Sequence, residues 1–170
     1  RGLAIPDGWA IDRDGNILVT GYSMTQDFPT YRAFQSFQSS AIFHYHGFIT
    51  KFERNGRLIW STRYSANRGS LFTGIAVDTS RNVAVCGRTR STDFPVLHAA
   101  FSTPLQPAYG LGDDGCLVKL DSAGGRLWAT YFGGIGQDQF DAVTCLPDGE
   151  VVACGYTISP DIPVKEAVQP

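Results

Sequence analysis

A short motif occurs three times in the chain, and its spacing constrains the fold more than any other feature. The three copies are TGYSMTQDFPT at 20–30, CGRTRSTDFPV at 86–96 and CGYTISPDIPV at 154–164. Their shared glycines, Gly21, Gly87 and Gly155, lie 66 and 68 residues apart. Recurrence at a fixed period is typical of repeat proteins, in which each repeat is one supersecondary unit stacked on its neighbours.

Each repeat contains four short runs that resemble β-strands. In the second copy they are TGIAVD at 73–78, NVAVCGRT at 82–89, GCLVKLD at 115–121 and RLWATYF at 126–132. The first copy has GWAID, NILVTGYS, GFITKFE and RLIWSTRY, and the third has only DAVTCL and EVVACGYT. Runs rich in Val, Ile, Leu and aromatic residues, bounded by Gly, Asp, Asn and Ser, indicate strands. We therefore expect four antiparallel strands in a complete unit.

Four antiparallel strands repeated at a fixed period are the pattern of β-propeller blades. The expected fold is all-β, a partial β-propeller over 1–170 with about two and a half blades: blade 1 at about 8–65, blade 2 at about 72–134 and half of blade 3 at about 139–170. The small apolar first strand would be innermost, and the fourth strand, with Trp60 or Trp128, outermost. Because a ring needs about four to eight blades, we expect a piece of a longer propeller. Other chains completing the ring, or a sequence covering only part of the molecule, are the alternatives.

The quoted segments carry a resemblance to a known repeat. GYSMTQDFP, GRTRSTDFPV, GYTISPDIPV with AVQP, GCLVKLDSAGG and TYFGGIGQDQFDAV together resemble the SBBP-type repeat of seven-bladed β-propellers, over nearly the whole chain. The resemblance implies a scaffold in bacterial proteins, often large, secreted or surface-attached, and it carries over no catalytic residue. The first copy departs from the pattern, because TRYSANRGSLF replaces TYFGGIGQDQF and its Gly-Gly pair and Asp are lost.

The repeated Asp-Phe-Pro motif is interpreted as a structural staple of the loop. Proline fixes its own φ and keeps the preceding residue extended, and the aspartate can accept hydrogen bonds from loop amides. The aromatic residue, or isoleucine in the third copy, then plugs the space between blades. The staple residues are Asp27, Phe28, Pro29, Asp93, Phe94, Pro95, Asp161, Ile162 and Pro163. A ligand-binding role for the motif is the alternative.

We expect no catalytic residue, cofactor or metal site. His44 and His46 are weak metal candidates, because HYH places two imidazoles on one face of a strand, but no third ligand is evident. GLGDDG at 110–115 precedes a strand and is interpreted as a loop instead of a dinucleotide site. DRDGN at 12–16 resembles the start of a calcium loop but is interpreted as a hairpin turn.

The four cysteines are expected to be buried free thiols. Cys86, Cys116, Cys145 and Cys154 form no C-x-x-C pair and lie in apolar runs. Cys145 and Cys154 are the only pair considered for a disulfide, and their register suits diagonal neighbours.

The first functional hypothesis is a non-enzymatic structural or interaction module, outside the cytoplasm of a bacterium or at its surface. Its partners would be other blades or other protein chains, and a glycan as a further ligand, bound by the loops at 30–46 and 96–114. A net charge of −2 gives no sign of the basic surface that nucleic-acid binding needs. No apolar run reaches the roughly 18 residues of a membrane span. The alternatives are a subunit of a multi-protein complex, or a polysaccharide-acting enzyme with converging carboxylates or a metal at the channel mouth.

Overall fold

A computed structural model of the chain describes residues 3–25, 27–35, 45–64, 67–98 and 112–165. These residues form ten strands: β1 (Ala4–Ile11), β2 (Ile17–Ser23), β3 (His46–Phe52), β4 (Leu58–Tyr64), β5 (Ser70–Val77), β6 (Val83–Thr89), β7 (Asp114–Leu120), β8 (Arg126–Phe132), β9 (Asp138–Cys145) and β10 (Val151–Thr157). The described ranges contain no helix, so none there could cross a membrane. The all-β prediction is confirmed.

The strands form three antiparallel sheets in chain order. The first sheet is β1-β2-β3-β4, the second sheet is β5-β6-β7-β8, and β9 and β10 form the terminal hairpin. Within each sheet, every strand pairs with the next along the chain. Tight turns join β1 to β2 and β3 to β4, and likewise in the second sheet. The expected unit of four antiparallel strands is present in the first two copies, with β4 and β8 at the edges of their sheets.

The first strand of each sheet begins earlier than the sequence predicted. β1 begins at Ala4 instead of Gly8, since the register shifts between Pro6 and Gly8 and the pairing with β2 continues beyond this bulge. The second sheet has the same shift between Phe72 and Gly74. A bulge places one extra residue on one strand and interrupts the alternation of side chains. The residues before each bulge therefore fall outside the regular alternation, and the sequence pattern did not predict that they belong to the strands.

The sheets stack face to face through their first strands. A Cβ added to Gly8 would lie 3.4 Å from the Cα of Gly74, and a Cβ added to Gly74 would lie 3.4 Å from the Cα of Ala142. β1, β5 and β9 are therefore side by side. Thr73 in β5 donates a hydrogen bond from Oγ1 to the carbonyl oxygen of Phe140 in β9, at 2.7 Å. This bond ties the second sheet to the terminal hairpin.

The main hydrophobic core lies between the first and second sheets. The first sheet contributes Leu18, Ile49, Trp60 and Tyr64, and the second contributes Phe72, Val83, Val85, Cys116, Val118, Leu120 and Ala129, with Phe94 from the following loop. Burying one such large apolar side chain contributes about 1.5–3 kcal/mol. Contacts between sheets therefore contribute to the stability of the stack.

A buried ion pair recurs in the first two sheets. Asp12 lies 2.9 Å from Lys51, and Asp78 lies 3.0 Å from Lys119, with all four side chains at most 7% exposed. The other carboxylate oxygen of Asp12 accepts two backbone N–H groups of the β1–β2 turn. The DRDGN segment is therefore a hairpin turn whose aspartate is already saturated. Leu146 takes the aspartate position in the terminal hairpin.

All four cysteines are free, but they are not all buried. Cys86 and Cys116 are buried, Cys145 is partly exposed and Cys154 is exposed. The prediction of a buried thiol is wrong for Cys154, because its side chain lies on the face of the terminal hairpin that no other described element covers. Cys145 pairs with Val151 and Cys154 with Ala142, so the two cysteines do not face each other.

Candidate functional site

The repeated motifs lie at the end of the stack where β2, β6 and β10 end. Asp93 accepts the backbone N–H of Asn67 at 2.8 Å, and Asp161 accepts that of Ile135 at 2.8 Å. Asn67 and Ile135 lie in the segments that connect one sheet to the next. Each of these aspartates therefore ties its loop to the preceding connection. Asp27 is exposed, and the chain before Leu3, where its counterpart contact would lie, is outside the described residues.

The aromatic residue of the second motif packs between two sheets. Phe94 is 4% exposed. Its ring centroid lies 5.2 Å from that of Tyr64 in the first sheet and 6.5 Å from that of Tyr131 in the second. The next residue, Pro95, accepts hydrogen bonds through its carbonyl oxygen from the Tyr64 hydroxyl and from Arg126. These are the contacts of a packing residue.

The other two motifs make related contacts. The ring centroid of Phe28 lies 4.7 Å from that of Phe48 in its own sheet. Pro29 is exposed, and it lines an apolar cavity together with Phe28. Ile162 is partly buried and lines a cavity of about 160 Å³ together with Phe132 and Phe140. Pro163 is also partly buried.

The glycine at the second position of each motif has a physical reason that the sequence alone did not reveal. A Cβ added to Gly21, Gly87 or Gly155 would overlap a backbone carbonyl oxygen of the neighbouring first strand. Each glycine lies opposite the bulge, where that strand approaches most closely. Glycine is therefore needed here for lack of space, since only its backbone fits.

Three aspartates converge at the same end, between the second sheet and the terminal hairpin. A Cβ on Gly133 would overlap Asp114 and would lie 2.7 Å from Oδ2 of Asp138. Burial, followed by the nearby charges of Asp138 and Asp113, raises the pKa of Asp114 to about 7. Oδ2 of Asp138 accepts hydrogen bonds from Gly134 and Ser159, whereas its buried Oδ1 has no partner among the described residues. Sequence reasoning missed this group because its members come from distant segments.

An open pocket of about 370 Å³ lies beside these aspartates, and we call it the arginine pocket. It is lined by Arg68, Arg88 and Arg90, together with Asp113 and Tyr45. Arg88 lies 3.2 Å from one carboxylate oxygen of Asp113, and Arg90 bonds to the other. Asp113 is 4% exposed, whereas the side chains of Arg88 and Arg90 are 32% and 61% exposed. The guanidinium groups therefore line the open side of the pocket, and the carboxylate lies behind them.

The predicted metal and loop sites are covered only in part. His44 lies outside the described residues, and His46 is 3% exposed at the start of β3. In the part of the chain that the structure describes, no group of three or more His, Cys, Asp or Glu side chains could hold a metal ion. The loops predicted to bind ligands, 30–46 and 96–114, fall largely outside the described ranges, at 36–44 and 99–111.

No family model matches the chain, and no curated protein matches it. The site is therefore interpreted from its own residues and from the repeat.

Proposed function

We propose that the chain is part of a β-propeller of the SBBP type, and that it is a non-enzymatic structural and interaction module of a larger bacterial protein outside the cytoplasm. The main observation that supports the propeller is the stack of repeated sheets, in which β1, β5 and β9 lie side by side. In a propeller, four-stranded blades pack face to face with their first strands around a central channel. The order of strands within both complete sheets fits that arrangement.

The free face of the first sheet supports further blades. Val19 and Phe52 on this face are partly exposed, and they occupy the repeat positions of Val85 and Leu120, which are 0% exposed beneath the first sheet. The face also lines an apolar cavity of about 250 Å³, and Trp9 beside it is 73% exposed. Contiguous exposed apolar surface usually marks an interface. A preceding blade would cover these residues as the first sheet covers their counterparts.

The two repeated tryptophans give independent support at the other side of the stack. Trp60 is 1% exposed, since its ring packs on Gly124 and its indole N–H donates to the carbonyl oxygen of Ser122 at 3.2 Å. Ser122 and Gly124 form the β7–β8 turn of the next sheet. Trp128 has the same repeat position but is partly exposed, and the terminal hairpin has no third and fourth strands among the described residues. The turn of a completed third blade would cover Trp128.

A catalytic role is the weaker proposal for the converging aspartates. Asp114 and Asp138 are 6% and 3% exposed, and Asp113 is held by two arginines. A general acid must be within hydrogen-bond reach of its substrate, and Asp114, the carboxyl with the raised pKa, is not among the residues that line the open pocket. We therefore favour structural packing with ligand contacts at the loop end of the blades. The proposed location and bacterial source depend on the resemblance of the repeat alone.

The test is the mass of the native polypeptide, measured under denaturing conditions, together with electron microscopy of negatively stained native particles. We expect a mass well above the 18.5 kDa of these 170 residues and ring-shaped particles with a central channel. A native polypeptide of 18.5 kDa found as an open stack without other proteins would overturn the proposal. If other proteins cover the stack instead, the chain is a subunit of a multi-protein complex.

A further inference from the structure

We propose that the arginine pocket binds the carboxylate of an acidic sugar, such as a uronic acid unit of an anionic polysaccharide. The inference deepens the interaction role proposed above and rests on it, but it does not depend on ring closure. The pocket lies at the loop end of the stack, and its residues come from segments of the first and second sheets. Tyr45 precedes β3, Arg68 precedes β5, and Arg88 and Arg90 lie at the end of β6.

The first argument is the balance of charge in the pocket. Three guanidinium groups line it, and Asp113 is the one carboxylate among its described lining residues. Asp114 lies directly behind and is buried, and its pKa is raised to about 7, so its carboxyl is largely neutral at slightly acidic pH. The residues that line the pocket therefore carry a net positive charge, although the whole chain has a net charge of −2. Such a local reversal of sign attracts anionic ligands.

The second argument is the geometry of the donors. Arg88 and Arg90 each give a bond to a different oxygen of Asp113, which fixes both side chains from behind. A guanidinium group has five N–H donors in a planar fork, and the exposed fractions of 32% and 61% leave part of each fork facing the open pocket. A carboxylate fits two parallel N–H donors of one guanidinium. The arrangement is therefore preorganised for a carboxylate.

The third argument favours a sugar over a bare inorganic anion. Tyr45 is 43% exposed, and its ring is held edge-on by Tyr22 at a centroid distance of 5.0 Å. Leu71 also lines the pocket. These side chains offer apolar surface beside the arginines, which suits the C–H face of a sugar ring and gives nothing to phosphate. The volume of about 370 Å³ also falls within the range of about 300–1,000 Å³ that is typical of ligand pockets.

The test is a calorimetric titration of the native protein with D-galacturonate, D-galactose and inorganic phosphate. We expect saturable binding of galacturonate with a Kd of about 1 mM or tighter, weaker binding at higher salt, and no binding of galactose. Phosphate should bind more weakly than galacturonate. The variant Arg90→Gln should lower the affinity for galacturonate about ten-fold, since it removes a charge-assisted hydrogen bond.

A matched control is available at the opposite end of the same sheet. Arg81 is 52% exposed in the turn before β6, where it pairs with Asp14. Arg81→Gln makes the same change of charge as Arg90→Gln and should leave the affinity unchanged. We expect both variants to fold, since the side chain of Arg90 is 61% exposed. Circular dichroism of the two variants checks this.

Three outcomes would overturn the inference: no galacturonate binding by the folded protein, equal binding of phosphate, or equal effects of the two substitutions. Equal phosphate binding would mean that the pocket recognises charge alone. Each of these results is independent of the native mass and of ring-shaped particles, so failure of the sugar site is distinguishable from failure of the propeller.

Discussion

Individual glycines in this chain are required for two different physical reasons. Gly87 lies opposite the bulge in β5, where an added Cβ would overlap the carbonyl oxygen of Leu71. Gly56 lies in the β3–β4 turn with a φ of 88° and has no atom within 4 Å of an added Cβ. The first glycine is constrained by space, and the second by a left-handed backbone that costs other residues about 1–2 kcal/mol.

The two glycines can be told apart by the same substitution. Gly87→Ala should lower the free energy of unfolding by about 3 kcal/mol, because a strand must shift to make room. Gly56→Ala should lower it by only about 1 kcal/mol. Chemical denaturation of both variants measures the difference. Equal losses would mean that the bulge accommodates a side chain and that lack of space does not explain the repeated glycine.

At the scale of elements, the buried ion pair joins the first and third strands of a sheet. Asp12 closes the turn after β1, and Lys51 reaches it from β3. Burial alone would raise the pKa of Asp12, but hydrogen bonds from Asn16 and Lys51 and the charge of Lys51 outweigh it and lower the pKa from 3.8 to about 2. Breaking such a pair by removing one partner is costly, since it leaves a buried charge without its counterion.

The lowered pKa of Asp12 predicts a loss of stability in acid. A depressed folded-state pKa gives stabilisation that is complete above the unfolded value and is lost as the pH falls toward the folded value. We expect about 2 kcal/mol to be lost between about pH 4 and pH 2 through this group. Denaturant titrations across this range should show a smaller loss for Asp12→Asn. Asp14→Asn, which changes a carboxylate that is 54% exposed, should keep the full acid dependence.

Asp114, between the second sheet and the terminal hairpin, predicts that stability falls as the pH rises, which is opposite to the effect of Asp12. Asp114 faces Asp138 and Asp113, with Arg88 and Arg90 beyond, and its folded pKa of about 7 is above the unfolded value of 3.8. Its contribution is therefore complete below about pH 4 and is lost as the pH rises to about 7, by about 4 kcal/mol at most. Asp114→Asn should abolish this decline and be the more stable protein at pH 8. A decline of the same size in the variant would contradict this assignment.

The sequence predicted elements better than it predicted contacts between them. The strands and the register within each unit follow from alternation and turn residues, and these interactions are local along the chain. Asp114 and Asp138, or Arg68 and Arg88, meet only after the sheets have stacked, and one sequence contains no signal for that proximity. The bulges in β1 and β5 were not predicted, because the extra residue interrupts the alternation of apolar and polar side chains and looks like the start of the strand.

At the scale of the whole molecule, apolar residues are exposed on both free faces of the stack. Trp9 is 73% exposed and Ile11 is 59% exposed on the first sheet, and Val152 and Tyr156 are 49% and 46% exposed on the terminal hairpin. Where two sheets meet, the counterparts of Trp9 and Ile11 are partly buried against the core, as Ile75 and Val77, and the counterpart of Val152, Ala84, is 0% exposed. The two free faces are therefore sheet-packing surfaces without their partner sheets among the described residues.

The exposed faces predict that these 170 residues self-associate when produced alone. Trp9→Glu should lower the self-association measured by sedimentation velocity, since a charge on the free face opposes burial. The matched variant Ile135→Glu changes a side chain of similar exposure, 65%, in the segment between β8 and β9. It should leave association unchanged. A concentration-independent monomer with native Trp9 would contradict the prediction.

The docking of the terminal hairpin has a consequence for how such a chain is made. β9 and β10 already pack on the second sheet through Thr73 and Gly74, without outer strands of their own among the described residues. A chain leaving the ribosome could therefore anchor each new inner hairpin on the finished sheet behind it before the rest of that repeat is synthesised. Folding would then keep pace with translation, one repeat at a time.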